Sequence, residues 1–412
     1  MNTQKKVIVG GKLIDGTGGE PLRNAALYIE GERIMAIGEK GELDIPKDAK
    51  VIEVNGKTII PGLIDAHLHY SGSRVGDGPM GRLRVGSECR AIRAAVDAHS
   101  MLKMGYTGAR DCGGTIGIWL KKAIDEGTVP GPRIMASGLC INNTYGHIGS
   151  NPLPLKLAEA MGRSYADGVA QCLEAVRTRL REGADFIKIA SGLKGESRKF
   201  PKCMPSYSFE EIKTMSDEAH RAYTIIASHC QGVEGIKTSL KAGVDTIEHG
   251  TEFDEECAKL SVDLDRIFIP TLAIQIKRPG YGLKNASDNL REDMNKKLYE
   301  SVMIAHELGV RIASASDFSG GDGLGALPMG KNALDLERLV TAGLTPMDAI
   351  VSATKVASEA MMMEDMIGTL ECGKYADLVV VNGDPLEDIV MLQDESRIGM
   401  VLKGGEIVTN HF

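Results

Sequence analysis

Aromatic side chains make up only 4% of this 412-residue chain, with a single tryptophan among them. Positive charge is in deficit as well: the formal net charge is −8 and the isoelectric point is near 5.7. With no Lys/Arg stripe interleaved with aromatics, a nucleic-acid partner is excluded. No apolar run approaches the ~18 consecutive residues that a membrane span requires, so no membrane partner is expected. The start, Met1–Gly11, has no apolar stretch long enough for a signal peptide, and the expected location is cytoplasmic. CxxC pairs are missing too. The eight cysteines, at 89, 112, 140, 172, 203, 230, 257 and 372, show no regular spacing. They read as free thiols in a reducing compartment rather than as a disulfide framework.

What remains is the composition of a soluble globular protein, 43% hydrophobic and 25% charged, with 49 glycines to serve tight strand–helix turns. The length exceeds one ordinary domain but suits a large barrel with a satellite. Residues 1–58 read as short strands, among them Lys6–Val9, Ala25–Ile29, Ile34–Ile37 and Val51–Val54, punctuated by turns such as Asn55-Gly56. The C-terminal stretches Asp377–Gly383 and Val401–Val408 repeat that character. Neither end has enough apolar residues for its own core. The expectation is one small β-sandwich domain made from 1–58 plus 365–412, with 59–364 inserted into it.

The inserted part alternates. Apolar runs with strand character lie at Ile59–His67, Thr107–Asp111, Arg133–Ser137, Phe186–Ala190, Ile225–His229, Thr246–His249, Phe268–Leu272 and Arg311–Asp317. Helical patterns fall between many of them; Val169, Cys172, Leu173, Val176 and Leu180 recur at spacings of three and four. Eight strands alternating with helices predict an α/β fold of the (β/α)₈ TIM-barrel type.

In such a barrel the chemistry sits at the C-terminal ends of the strands. His67 and His69 stand there on strand one, pointing to one face if the strand alternates regularly. Lys188 lies on strand four, His229 ends strand five, His249 ends strand six and Asp317 ends strand eight. Four histidines, a lysine and an aspartate on one rim form a set of metal ligands. Lys188 is the discriminating member, because an ammonium among Phe186, Ile187 and Ile189 is costly unless paired. A neutral amine there can add carbon dioxide, and the resulting carbamate offers two oxygens to two cations. The alternative is a structural ion pair with Asp317 or Glu248.

The order HxH, Lys, His, His, Asp resembles the amidohydrolase superfamily. Around it, Pro61–His69, Gly183–Lys188 and Asp245–Gly250 are similar to the branch holding imidazolonepropionase-related enzymes and metal-dependent Xaa-Pro or Xaa-Arg dipeptidases. Gly373–Leu378 and Gly11–Gly16 share the likeness, which thus spans nearly the whole chain. The resemblance implies a binuclear site, most often zinc. His67, His69, carboxylated Lys188 and Asp317 would hold the more buried metal, and the same carbamate, His229 and His249 the more exposed one. It implies a hydroxide bridging the metals, with Asp317 as the proton shuttle, and cleavage of an amide or peptide bond in a small molecule. The implied substrates are a dipeptide such as Xaa-Pro, Xaa-Arg or Xaa-Lys, or an N-acyl amino acid. His147, in Gly-His-Ile-Gly after strand three, occupies the place of a substrate-contacting, oxyanion-stabilising histidine. The dipeptidases carry a tyrosine two positions after the strand-five histidine; here Gln231 stands there as the substrate-contacting residue. Arg74, Arg82 and Arg84, and the basic segment 194–202, are further candidates for holding a substrate carboxylate. Two rivals accompany this reading: a cyclic-amide hydrolase of the imidazolonepropionase type, and a non-catalytic assembly protein of the same fold. A homo-oligomer is expected by the same likeness.

Overall fold

The computed structural model describes residues 4–77, 81–147, 153–193, 203–275, 288–320 and 328–412. Both chain ends enter one mixed eight-stranded sheet. Lys5–Leu13 pairs antiparallel with Leu22–Glu30, which pairs in turn with Arg33–Glu39. On its other side Lys5–Leu13 runs parallel to Lys50–Glu53 and Thr58–Pro61. Thr58–Pro61 then takes Leu378–Val381 as an antiparallel neighbour, and Ile398–Lys403 and Glu406–Asn410 follow. Alternating residues from both ends, among them Ile8, Leu27, Ile59, Leu378, Val380 and Leu402, are fully buried against one another. This sheet is the small β-sandwich that neither terminus can build alone.

The run Ile59–His67 is therefore not one strand but two. Thr58–Pro61 belongs to the sandwich, and barrel strand one is Leu63–Leu68. Gly62 is the pivot: its N–H donates to Asp377 O at 2.9 Å, while the next amide, of Leu63, donates to Gly105 O at 2.9 Å. A side chain at Gly62 would put its Cβ 2.1 Å from Thr107 Oγ1, so only glycine lets the two sheets diverge here.

The remaining barrel strands are Tyr106–Asp111, Arg133–Ala136, Ile187–Ala190, Ile226–Cys230, Thr246–His249, Ile267–Ile269 and Arg311–Ile312, numbered two to eight below. Parallel ladders join strands one to three and four to eight. Asp185 N donates to Ala136 O at 2.8 Å between strands three and four, and Ala66 N to Ser314 O at 3.1 Å between one and eight. The expected α/β barrel is the observed one. On strand four, Ile187 and Ile189 belong to the outer core under the helices, whereas Phe186 belongs to the inner core with Ala66, Cys112, Ala227, Ala313 and Ala315. Alternation places Lys188 inside with Phe186. The helices follow from the same patterning: Phe209–Arg221 starts at a Ser208/Glu211 capping box and buries Ile212, Met215 and Ala219 at spacings of three and four. On Gly168–Arg181, Cys172 and Val176 are buried, but Val169, in the first turn, is exposed.

Strand eight is shorter than the expected Arg311–Asp317. Beyond Ile312 it still bonds its neighbours, with Ala313 N donating to Phe268 O at 3.0 Å and Asp317 N to His67 O at 2.7 Å, while the groups between them serve two buried carboxylates. Asp335 accepts from Ala315 N at 2.9 Å and Ser314 Oγ at 2.8 Å, and Asp65 from Ser316 N at 3.1 Å and Ser316 Oγ at 2.6 Å. All eight cysteines are free. Among the described residues no helix is long and apolar enough to cross a membrane.

Candidate active site

Strand one ends at Leu68, and its register slips between Asp65 and Leu68. His67 and His69 nevertheless face one another, ring centroids 5.4 Å apart. Both approach the same carboxylate oxygen: Asp317 Oδ1 lies 3.1 Å from His69 Nε2 and 3.7 Å from His67 Nε2. The other oxygen, Oδ2, is 3.9 Å from His249 Nδ1. The rings form an arc around the rim, with centroids 5.0 Å apart from His67 to His249, 4.4 Å from His249 to His229 and 3.7 Å from His229 to His147. The five histidines singled out in the sequence thus come together, His147 from a surface loop and the rest from strand ends.

Three consecutive strand ends hold non-glycine residues in the left-handed region: His249 at φ 68°, Thr271 at 51° and Asp317 at 54°. Each such residue costs on the order of 1–3 kcal/mol. The turns re-aim the side chains toward the barrel axis. His249 Nδ1 meets Thr271 Oγ1 at 2.7 Å, His69 Nδ1 meets Gly113 O at 3.2 Å and His67 Nδ1 meets Glu248 Oε2 at 2.5 Å. Three imidazoles are thereby fixed by a second partner.

Burial holds His67 neutral, its pKa lowered to about 4, with the nearby Lys188 charge acting in the same direction. Burial likewise pushes His229 and His249 well below the ordinary histidine range. Burial opposes ionisation of Asp317 too, but the hydrogen bond from His69 and the neighbouring imidazoles hold its carboxyl below the usual range. Asp317 in turn raises His69, against the effect of burial. Neutral rings at His67, His229 and His249 and an ionised Asp317 are the protonation states a divalent cation requires of its ligands, whereas the hydrogen bond with Asp317 favours the protonated form of His69.

Two groups of potential ligand atoms meet at His67. In one, the donor atoms of His67, His249 and Asp317 all lie within 4.8 Å of one another; in the other, so do those of His67, Cys112 and Glu248. His67 meets Glu248 through Nδ1 and Asp317 through Nε2. In the second group, Arg110 already neutralises Glu248 through a 2.5 Å contact, and burial keeps the Cys112 thiol well above its usual pKa. That group suits support of His67 better than a cation of its own. The first opens toward the rim, where His229 Nε2 is buried without a hydrogen-bond partner.

Lys188 is 3% exposed and its Nζ has no hydrogen-bond partner. The alternative of an ion pair with Asp317 or Glu248 is thus not what the structure contains; Glu248 is taken by Arg110 and His67. Gln231 is 6% exposed, with Oε1 unpartnered. Arg74 is no substrate cation: it donates twice to Asp97 at 2.9 Å and once to Gly320 O at 2.8 Å. Segment 194–202 lies outside the described residues, and so does the side chain of Arg82. Sequence reasoning missed Arg110 and Thr271. Arg110 carried a readable signal, a charged residue inside the buried strand Tyr106–Asp111, as Lys188 is in strand four. Thr271 carried none.

Barrel, rim and donor set define a metal-dependent hydrolase of C–N bonds, with the catalytic machinery of an amidohydrolase in place. The chain belongs to the amidohydrolase family, whose model matches residues 58–408. Ochratoxinase from Aspergillus niger is 33% identical over 97% of this chain and 86% of its own. The crystal structure of A. niger ochratoxinase superposes with a TM-score of 0.88 over 99% of this chain and 96% of that one. A prolidase complexed with N-methylphosphonate-L-proline is 31% identical, with a TM-score of 0.86 over 99% of this chain and all (100%) of that one. The likeness to imidazolonepropionase is weaker: the enzyme of Geobacillus kaustophilus is 23% identical over 94% of this chain and 91% of its own.

Proposed function

We propose that the protein is a binuclear metal-dependent hydrolase that cleaves the amide bond of a dipeptide or N-acyl amino acid. The observation that carries the binuclear reading is the unpartnered Lys188 Nζ, buried on the same rim as the unpartnered His229 Nε2. An unpartnered buried lysine can, as the free amine, add carbon dioxide, releasing a proton and gaining one negative charge shared by two oxygens. His67, His69, Asp317 and the carbamate would then hold one cation, and the carbamate, His229 and His249 the other. The imidazole and carboxylate donors suit zinc. When bound, such cations supply a nucleophilic water near neutral pH and polarise the scissile carbonyl.

The chain's own residues do the rest. Asp317 takes up a proton at a carboxylate oxygen and returns it to the departing nitrogen. His147, its ring 3.7 Å from that of His229 and tilted by 30°, would donate to the developing oxyanion. Gln231, buried two residues after His229 with its Oε1 unpartnered, would contact the substrate. The prolidase complexed with N-methylphosphonate-L-proline supports a substrate with an amino-acid leaving group. The cyclic-amide alternative has less support, since its relatives are more distant.

Hydrolysis of dipeptide and N-acyl amino acid libraries with zinc present tests the reading, alongside metal analysis. About two zinc ions per chain, with activity lost on chelation and restored by zinc, is the expected outcome. A folded, metal-free protein that binds no zinc would overturn it.

A further inference from the structure

Inside the barrel, on the side of His67 away from Asp317, lies an ion pair that the proposed chemistry does not use. Arg110, on strand two, is fully buried, with its guanidinium 5.1 Å from the Phe186 ring. It donates from Nη2 to Glu248 Oε1 at 2.5 Å, from Nε to Ala66 O at 2.6 Å, and from Nη1 to Thr246 Oγ1 and Ala360 O at 3.3 Å each. Thr246 Oγ1 donates to Glu248 Oε1 at 2.6 Å. The remaining carboxylate oxygen, Oε2, is the one that meets His67 Nδ1 at 2.5 Å. Arg110, Thr246, Glu248 and His67 are each at most 1% exposed.

A buried ion pair rarely stabilises a core better than apolar side chains of the same volume do. The inner core of the barrel includes Ala66, Ala227, Ala313 and Ala315, and the Cys112 thiol is a further hydrogen-bond partner of Arg110. The geometry of the pair suggests a different use. An ionised carboxylate only accepts, so the His67 ring must carry its proton on Nδ1 and present the Nε2 lone pair toward Asp317. Arg110 and Thr246 grip the opposite oxygen and fix the plane in which the carboxylate holds the ring.

We propose that Arg110 and Glu248 are positioning residues for metal binding, setting the tautomer and orientation of His67 from strands two and six. The inference rests on the reading of His67 as a metal ligand. Partners of this kind are worth roughly 10–100-fold in metal affinity.

The test uses the full chain. Arg110→Met combined with Glu248→Gln removes the pair without stranding either charge. The metal-free double variant should melt cooperatively near the wild type and bind zinc about 10–100-fold more weakly in chelator competition. In the metal-free protein labelled at histidine nitrogens, the hydrogen-bonded Nδ1–H signal of His67, assigned through His67→Ala, should shift or disappear. A folded double variant with unchanged zinc affinity and an unchanged ring signal overturns the proposal. If the double variant does not fold, Thr246→Val carries the test: weaker zinc binding with a displaced ring signal supports the proposal, and no change in either overturns it. His67→Ala separates the two levels. If it keeps full zinc affinity, the metal-ligand reading itself fails; if it loses zinc while the pair variants do not, only the positioning role fails.

Discussion

Lys188 and Asp317 have opposite surroundings, and the difference dictates what each variant does. Lys188 Nζ has no hydrogen-bond partner to lose, so Lys188→Ala should fold normally and yet bind less zinc. Metal content should fall toward one ion per chain or none, read by elemental analysis. Retention of two ions with full turnover would remove the carbamate from the mechanism. Asp317 is bracketed by three imidazoles. Asp317→Asn keeps the shape and removes the proton acceptor, so kcat should drop by about 10²–10⁴ while KM changes little. Near-normal turnover would exclude Asp317 as the proton carrier. At this scale the sequence was informative because ionisable side chains inside apolar strands are expensive. That signal marked His67, Lys188, His229 and His249, and read more strictly it would have marked Arg110. Thr271 was invisible, since a threonine that orients His249 looks like any other threonine until its φ is known.

Strand eight shows how an element can be correctly placed and wrongly bounded. Its apolar run is legible, but whether its amides bond a neighbouring strand or a carboxylate depends on Asp65 and Asp335, which come from elsewhere in the chain. Strand one was misjudged for a similar reason: the apolar pattern runs straight through Gly62, and only the contact with Thr107 shows why the chain must change sheets there. Asp335 joins the helix Leu334–Thr341 to the segments that follow strands seven and eight through Ala273 N, Ala315 N and Ser314 Oγ. Burial pushes its pKa up to about 7 from 3.8, against the effect of those donors. Between these values the folded protein keeps a proton that the unfolded chain has released, so stability should fall as pH rises through the window and level off above it. Asp335→Asn should flatten that part of the profile, measured as the denaturant midpoint of the metal-free protein against pH. An unchanged slope would show that the carboxyl stays ionised throughout.

The whole molecule is joined across one seam. Asp377, just before the sandwich strand Leu378–Val381, accepts from Arg133 Nε and Nη2 at 3.1 Å each and from Gly404 N at 2.6 Å. Tyr375 lies between two guanidiniums, with Arg33 at 3.7 Å and Arg133 at 4.1 Å from its ring. Arg133 belongs to barrel strand three, so these contacts fasten barrel to sandwich. Asp377→Ala should cost about 1–3 kcal/mol, lowering the melting temperature while leaving the KM of the folded enzyme unchanged. A large KM effect with no loss of stability would contradict a purely architectural role. The joint origin of the sandwich was legible because neither end carries enough apolar residues to close a core by itself. The seam was not, because an aspartate at the start of a strand gives no hint of its distant partner.

The position of Leu378–Val381 between Thr58–Pro61 and Ile398–Lys403 also bears on synthesis. A ribosome making this protein releases the first strands, then some three hundred residues of barrel, before the strand that covers the edge of Thr58–Pro61 exists. Until then that edge is open to other chains, as is usual for pairings of high sequence separation. Nascent chains arrested before residue 378 should therefore be the species most dependent on chaperones. A barrel that folds early would hold the waiting edge in register for its late partner.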